Sequence, residues 1–101
     1  MEKPRTRNEV LKVLEEHRAR LRERGARRLG LFGSTARGEA GPTSDLDFIV
    51  ELDERTVDRY MDLKLFLEEL FGCRVDLVLA SSIKPRLRST ILREAVYAAG
   101  L

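Results

Sequence analysis

The sequence predicts an α+β (α/β) domain: a mixed sheet of about three to four strands flanked by helices, in the order α-β-α-β-α-β-α. Three observations predict it. Short apolar runs, Leu29-Gly30-Leu31-Phe32, Phe48-Ile49-Val50 and Val75 to Val78 around Asp76, have the length of strands and lie between chain breakers. Longer segments around them repeat apolar residues at helical spacing. The links between the strands also differ. A short link joins the first two strands, which predicts antiparallel pairing, and a helix-length segment joins the second and third, which predicts a parallel crossover.

Residues 1 to 7 read as a loose arm. Asn8 is the expected N-cap of a helix over residues 8 to 24, where Val10, Leu11, Leu14, His17 and Leu21 share one side. Gly25 is its expected stop. Strand one runs from Arg27 to Phe32, a short helical turn follows around residues 34 to 39, and Ala40-Gly41-Pro42-Thr43 breaks the chain before strand two, Asp45 to Leu52. Thr56 caps a helix reaching Phe71, with Val57, Tyr60, Met61, Leu63, Leu67 and Leu70 as its apolar side, and Gly72 ends it. Strand three is Cys73 to Leu79. The last segment starts a helix at Pro85 and continues through Leu87, Ile91, Leu92, Ala95 and Val96.

With 101 residues the chain is expected to form one domain, 1–101, with one modest core. No apolar run approaches the ~20 residues of a membrane helix, and the first ten residues lack the apolar stretch of a signal peptide. A single cysteine, Cys73, cannot form an internal disulfide, which fits a cytoplasmic protein. The net charge of +2 is too small for a polyelectrolyte, but the basic residues are uneven: residues 1 to 28 hold ten of the nineteen Lys and Arg against five glutamates. That segment reads equally as a solvated helix face with pairs such as Glu16–Arg20 or as a surface for an acidic partner or RNA. No aromatic residue is interleaved, which argues against a stacking platform for single strands.

The chemistry concentrates between Gly33 and Asp47. A strand that ends in Gly33-Ser34 and turns into a helical segment aims backbone N–H groups and a hydroxyl at one point, which suits a phosphate. Gly33 permits close backbone approach. Asp45 and Asp47, at i and i+2 on a strand, project from one face. Two close carboxylates repel unless a cation lies between them, and the usual occupant is Mg²⁺, which completes its shell with phosphates and water. Alone, Asp-x-Asp after Thr43-Ser44 is also ordinary turn chemistry. Asp76 interrupts an apolar strand, where a carboxylate needs a partner; a salt bridge to Arg74 or an edge-strand position would account for it too. Arg37, with its planar fork, is a candidate phosphate or partner contact.

Other phosphate motifs fail. Gly33 and Gly38 have P-loop spacing, but Glu39-Ala40 stand where Lys-Ser/Thr is required. His17, the only histidine, lies in a helix pattern and reads as a core-edge residue; Cys73 reads as a small packing residue. Tyr60 and Tyr97 sit in helical patterns as packing or surface residues, with self-modification left open.

Gly33-Ser34, ten residues from Thr35 to Ser44, then Asp45-Leu46-Asp47, with Asp76 flanked by Val75 and Leu77-Val78, resembles the nucleotidyltransferase superfamily typified by DNA polymerase β, and within it the minimal nucleotidyltransferases. The resemblance extends to Arg37-Gly38 and Ser44, and its order of elements spans nearly the whole chain. It implies a small polymerase β-like fold in which Asp45 and Asp47 hold Mg²⁺, Asp76 completes a second metal site near the attacking hydroxyl, and Gly33 and Ser34, with Arg37 and Ser44 as further candidates, bind the phosphates of a nucleoside triphosphate, ATP by family expectation. Members of this kind are typically paired with a helical partner protein of the HEPN type. The resemblance therefore implies a heteromeric complex in which the chain is the antitoxin, moving AMP from ATP to a tyrosine of a toxin, with the last helix (Arg86, Arg88, Arg93, Tyr97) and the basic first helix as candidate interfaces. Two alternatives stay open: a non-catalytic antitoxin acting by contact, and nucleotidyl transfer to a small-molecule or RNA acceptor.

Overall fold

The computed structural model describes residues 6–39 and 45–101. The chain opens with helix α1, Arg7–Glu16. Its cap is Thr6 and not Asn8: the Thr6 hydroxyl accepts from the Glu9 N–H and the Glu9 carboxylate accepts from the Thr6 N–H, both at 3.2 Å. This reciprocal box satisfies two N–H groups at once, where Asn8 would satisfy one. The predicted long helix is interrupted at His17, and α2 covers Arg18–Glu23. The His17 ring bonds back through Nδ1 to the Val13 carbonyl at 2.9 Å, which its own N–H also reaches at 3.1 Å. The Val13 carbonyl thus accepts from both at the junction of α1 and α2.

Strands β1 (Ala26–Phe32), β2 (Leu46–Leu52) and β3 (Val75–Leu79) follow in order, with the four-residue helix α3 (Gly33–Ala36) after β1 and the long helix α4 (Val57–Phe71) between β2 and β3. β1 and β2 are antiparallel and β2 and β3 parallel, as the link lengths predict. The Thr56 hydroxyl accepts from the Arg59 N–H at 3.2 Å and starts α4; Gly72, left-handed at φ 65°, ends it. A one-turn 3-10 segment, Ala80–Ser82, leads to α5, Pro85–Glu94, with Pro85 in its first turn.

The last helix is shorter than predicted. Ala95 turns extended (ψ 134°), and Val96–Tyr97 form a fourth strand, β4, antiparallel to β1. The sheet order is β3-β2-β1-β4. Tyr97 is therefore a strand residue, half-buried, and not part of an exposed helix face. Its ring lies over Gly30, where an added Cβ would stand 3.0 Å from Tyr97 Cδ1, and under the Arg28 guanidinium, 3.9 Å from the ring centre.

The period of two along the strands separates two faces. Leu29, Leu31, Leu46, Phe48, Val50, Val75 and Leu77 join Val10, Leu14, Leu21, Leu63, Leu67 and Phe71 in one core. The Phe48 and Phe71 rings meet at 5.5 Å. The buried stripe of α4 is Leu63, Leu67 and Phe71. Val57 and Met61, predicted as part of the apolar side, are 76% and 41% exposed. With Leu65 they form a second stripe, roughly a third of a turn away by helix geometry. No residue of α5 is buried. The opposite face of the sheet carries Asp47 and Asp76.

Candidate functional site

Two acids are set side by side by strand register. In the parallel pair of β2 and β3, Asp47 is aligned with Asp76, and in the antiparallel pair Asp47 is aligned with Phe32, the residue before Gly33. The end of β1, the start of β2 and the start of β3 thus meet at one corner of the sheet. Asp45 is exposed just before β2, Asp47 is half-buried and Asp76 is exposed on the edge strand. No salt bridge to Arg74 holds Asp76; among the described residues none of the three acids has an ion pair.

A cavity of about 320 Å³ joins them, lined by Asp45, Asp47, Asp76, Lys64, Glu68, Arg74 and Val75. Burial pushes the Asp47 carboxyl above the ordinary carboxylate range, and the neighbouring charges of Asp76 and then Asp45 push it further, while Arg37 pulls it down weakly. Asp47 is therefore within electrostatic reach of both other acids. Among the described residues no three carboxylate, thiol or imidazole groups converge closely enough to cage a metal alone. Repelling carboxylates without a cation are expected to stand apart, and Mg²⁺ draws most of its shell from phosphate and water, so the all-oxygen set fits a shared site for it.

Gly33 sits at φ +76°, and a Cβ there would run into the Asp47 carboxylate. The phosphate-loop candidate and the acid pair thus touch. Ser34 follows in α3, half-buried. The first N–H groups of α3 have no partner inside the helix, and the turn closes behind them through Arg37 N–H to Gly33 C=O at 3.1 Å and Glu39 N–H to Ser34 C=O at 2.8 Å. Arg37, the candidate phosphate or partner contact, pairs within the chain. Its guanidinium meets Glu39 at 3.0 Å through Nε and Glu94 at 3.2 Å through Nη1, tying α3 to α5. Ser44 lies outside the described residues.

Sequence reasoning missed the contributions of α4. Lys64 and Glu68 line the acid cavity, and Tyr60, at the same four-residue spacing, donates its hydroxyl to the Leu77 carbonyl at 2.6 Å. The spacing 60, 64, 68 is the signal that was there to read. The basic first segment is partly consumed inside the fold. Arg24 pairs with Asp62 at 3.0 Å and stacks on Phe66 at 4.3 Å, and Arg28 pairs with Glu51 at 3.7 Å. The anticipated Glu16–Arg20 pair does not form. No described helix is long and apolar enough to cross a membrane.

Residues 14–98 match the family described as the nucleotidyltransferase domain. Over 94 residues the chain is 45% identical to protein adenylyltransferase MntA of Thermococcus cleftensis, covering 91% of this chain and 95% of that protein. A solved structure described as a minimal nucleotidyltransferase superposes with a TM-score of 0.71 at 45% identity, over 85% of this chain and 93% of the other. A complex of a tri-AMPylated Shewanella oneidensis HEPN toxin with an MNT antitoxin gives a TM-score of 0.64 at 20% identity, over 90% of this chain and 73% of the other, a likeness of fold.

Proposed function

The chain belongs to the nucleotidyltransferase domain family, and from that premise we propose that it transfers AMP from ATP to a tyrosine of a helical HEPN-type partner, as the antitoxin of a toxin–antitoxin pair. The observation that carries this reading is the side-by-side register of Asp47 and Asp76, with Asp45 in the same cavity and Gly33 against the Asp47 carboxylate. The activity named for the Thermococcus relative and the AMP-bearing toxin beside the Shewanella antitoxin support the choice of acceptor. Residues 1–101 act in this reading as one minimal nucleotidyltransferase domain, in the cytoplasm where ATP is at hand.

Asp45 and Asp47 would hold Mg²⁺, and Asp76 would complete a second site with Asp47. Bound there, the ions would neutralise charge building on the phosphate oxygens and on the departing pyrophosphate. The N–H groups of the Gly33-Ser34 turn and the Ser34 hydroxyl bind the outer phosphates and point the α-phosphorus at the acids. The tyrosine oxygen forms a bond to the α-phosphorus, the bond to the bridging α–β oxygen breaks, pyrophosphate leaves, and Asp76 takes the hydroxyl proton in this account. Arg37, held by two glutamates, ties α3 to α5 in this account.

Replacing Asp45 and Asp47 by Asn in cells that carry the partner separates catalysis from contact. The reading expects protection to be lost while the complex still forms. Protection that survives both substitutions would make the chain a contact antitoxin.

A further inference from the structure

β3 is an edge strand, and α4 closes its open side at two points. In a parallel pair, alternate residues turn their backbone groups toward the neighbouring strand. The Leu46 N–H donates to the Arg74 carbonyl at 3.2 Å, which sets the phase. Arg74, Asp76 and Val78 face β2, and Val75 and Leu77 turn theirs to the open edge. Two of those edge groups are met by side chains of α4. The Val75 N–H donates to Glu68 Oε2 at 3.3 Å, and the Tyr60 hydroxyl donates to the Leu77 carbonyl at 2.6 Å, both partly buried. One bond lies on each side of Asp76.

An edge strand pairs half its backbone and frays more readily than a central one. Here the strain is greater, because Asp76 and Asp47 repel across the β2–β3 pair. Paired edge groups on both sides of Asp76 oppose that repulsion without touching the carboxylate. We propose that Tyr60 and Glu68 are positioning residues, a two-point clamp that fixes the backbone around Asp76 and so holds its carboxylate opposite Asp47. The proposal rests on the reading of Asp76 as a metal-holding acid.

The full-length chain with substitutions Tyr60→Phe, Glu68→Leu and Glu68→Gln tests it by three readouts: amide exchange at Val75, the Mg²⁺ concentration giving half-maximal AMP transfer to the co-purified partner, and the melting temperature. Glu68→Leu is expected to speed Val75 exchange about tenfold, and Tyr60→Phe to raise the half-saturating Mg²⁺ about tenfold, the scale of lost outer-shell support at metal sites. The ATP KM at saturating Mg²⁺ should stay near that of the parent. Glu68→Gln keeps a side-chain carbonyl to accept the Val75 N–H and should return exchange and Mg²⁺ dependence toward the parent. Unchanged Mg²⁺ dependence in Tyr60→Phe and Glu68→Leu, with or without a lower melting temperature, overturns the clamp while leaving the transferase standing. A parent chain that transfers no AMP overturns the functional reading and the clamp's role in it; unchanged Val75 exchange in Glu68→Leu overturns the clamp whatever the activity.

Discussion

Gly33 and Asp47 share one space: the backbone at 33 is left-handed, at φ +76°, and the position a Cβ would take is filled by the Asp47 carboxylate. Gly33→Ala therefore meets two costs. The left-handed conformation costs an alanine about 1–2 kcal/mol, and the methyl group must displace the carboxylate. Displacing a reacting group by about 1 Å costs on the order of 100-fold in rate. The variant is expected to stay folded, lose about 1–2 kcal/mol in denaturant unfolding, and lose AMP transfer by about 100-fold or more. Activity within a few-fold of the parent would separate Gly33 from the acid site.

Asp47 makes a pH prediction for the metal-free chain. Its carboxyl is raised above the ordinary range by burial and by Asp76 and Asp45. The folded chain then holds this proton more tightly than the unfolded chain does, so the group destabilises the fold at neutral pH, and the penalty is relieved as pH falls through the raised pKa. Asp47→Asn removes the penalty. Its melting temperature without divalent cations should exceed the parent's at pH 7 by a few degrees, with the gap closing in acid, while Mg²⁺ stabilises the parent more than the variant. A melting temperature at pH 7 below the parent's would contradict this.

The guanidinium of Arg37 is committed to Glu39 and Glu94. Arg37→Ala should leave the KM for ATP within about threefold, because an exposed pair of this kind contributes little. A rise of about tenfold or more in steady-state kinetics would return Arg37 to the phosphates.

The two stripes of α4 predict opposite responses to truncation. Leu67, fully buried in the core, should cost about 2–5 kcal/mol as Leu67→Ala. Leu65, 58% exposed, should change stability by less than about 0.5 kcal/mol as Leu65→Ser. Chemical denaturation of both variants decides, and a large loss from Leu65→Ser would mean that the second stripe is packed.

The sequence carried the parts of this fold that depend on local rules. Link lengths gave the pairing of β1, β2 and β3, the Thr56 cap and Pro85 marked helix starts, and the spacing of Gly33, Ser34, Asp45 and Asp47 brought those residues to the corner where Asp76 also lies. What stayed hidden depends on distant partners. The break at His17 comes with a ring turned back onto Val13. β4 has only two residues and forms because Gly30 leaves room for Tyr97. Arg37 finds Glu94 fifty-seven positions away. The edge of β3 is completed by Tyr60 and Glu68, whose role exists only once β3 is known to be unpaired on that side.

The most direct measurement is the mass of the partner protein after incubation with the pure chain, ATP and Mg²⁺. The account predicts a gain of about one or more AMP masses on a partner tyrosine, absent without Mg²⁺ and absent when Asp76→Ala replaces the parent chain. A partner of unchanged mass in a stable complex with the parent chain, or a gain that persists with Asp76→Ala, would contradict it.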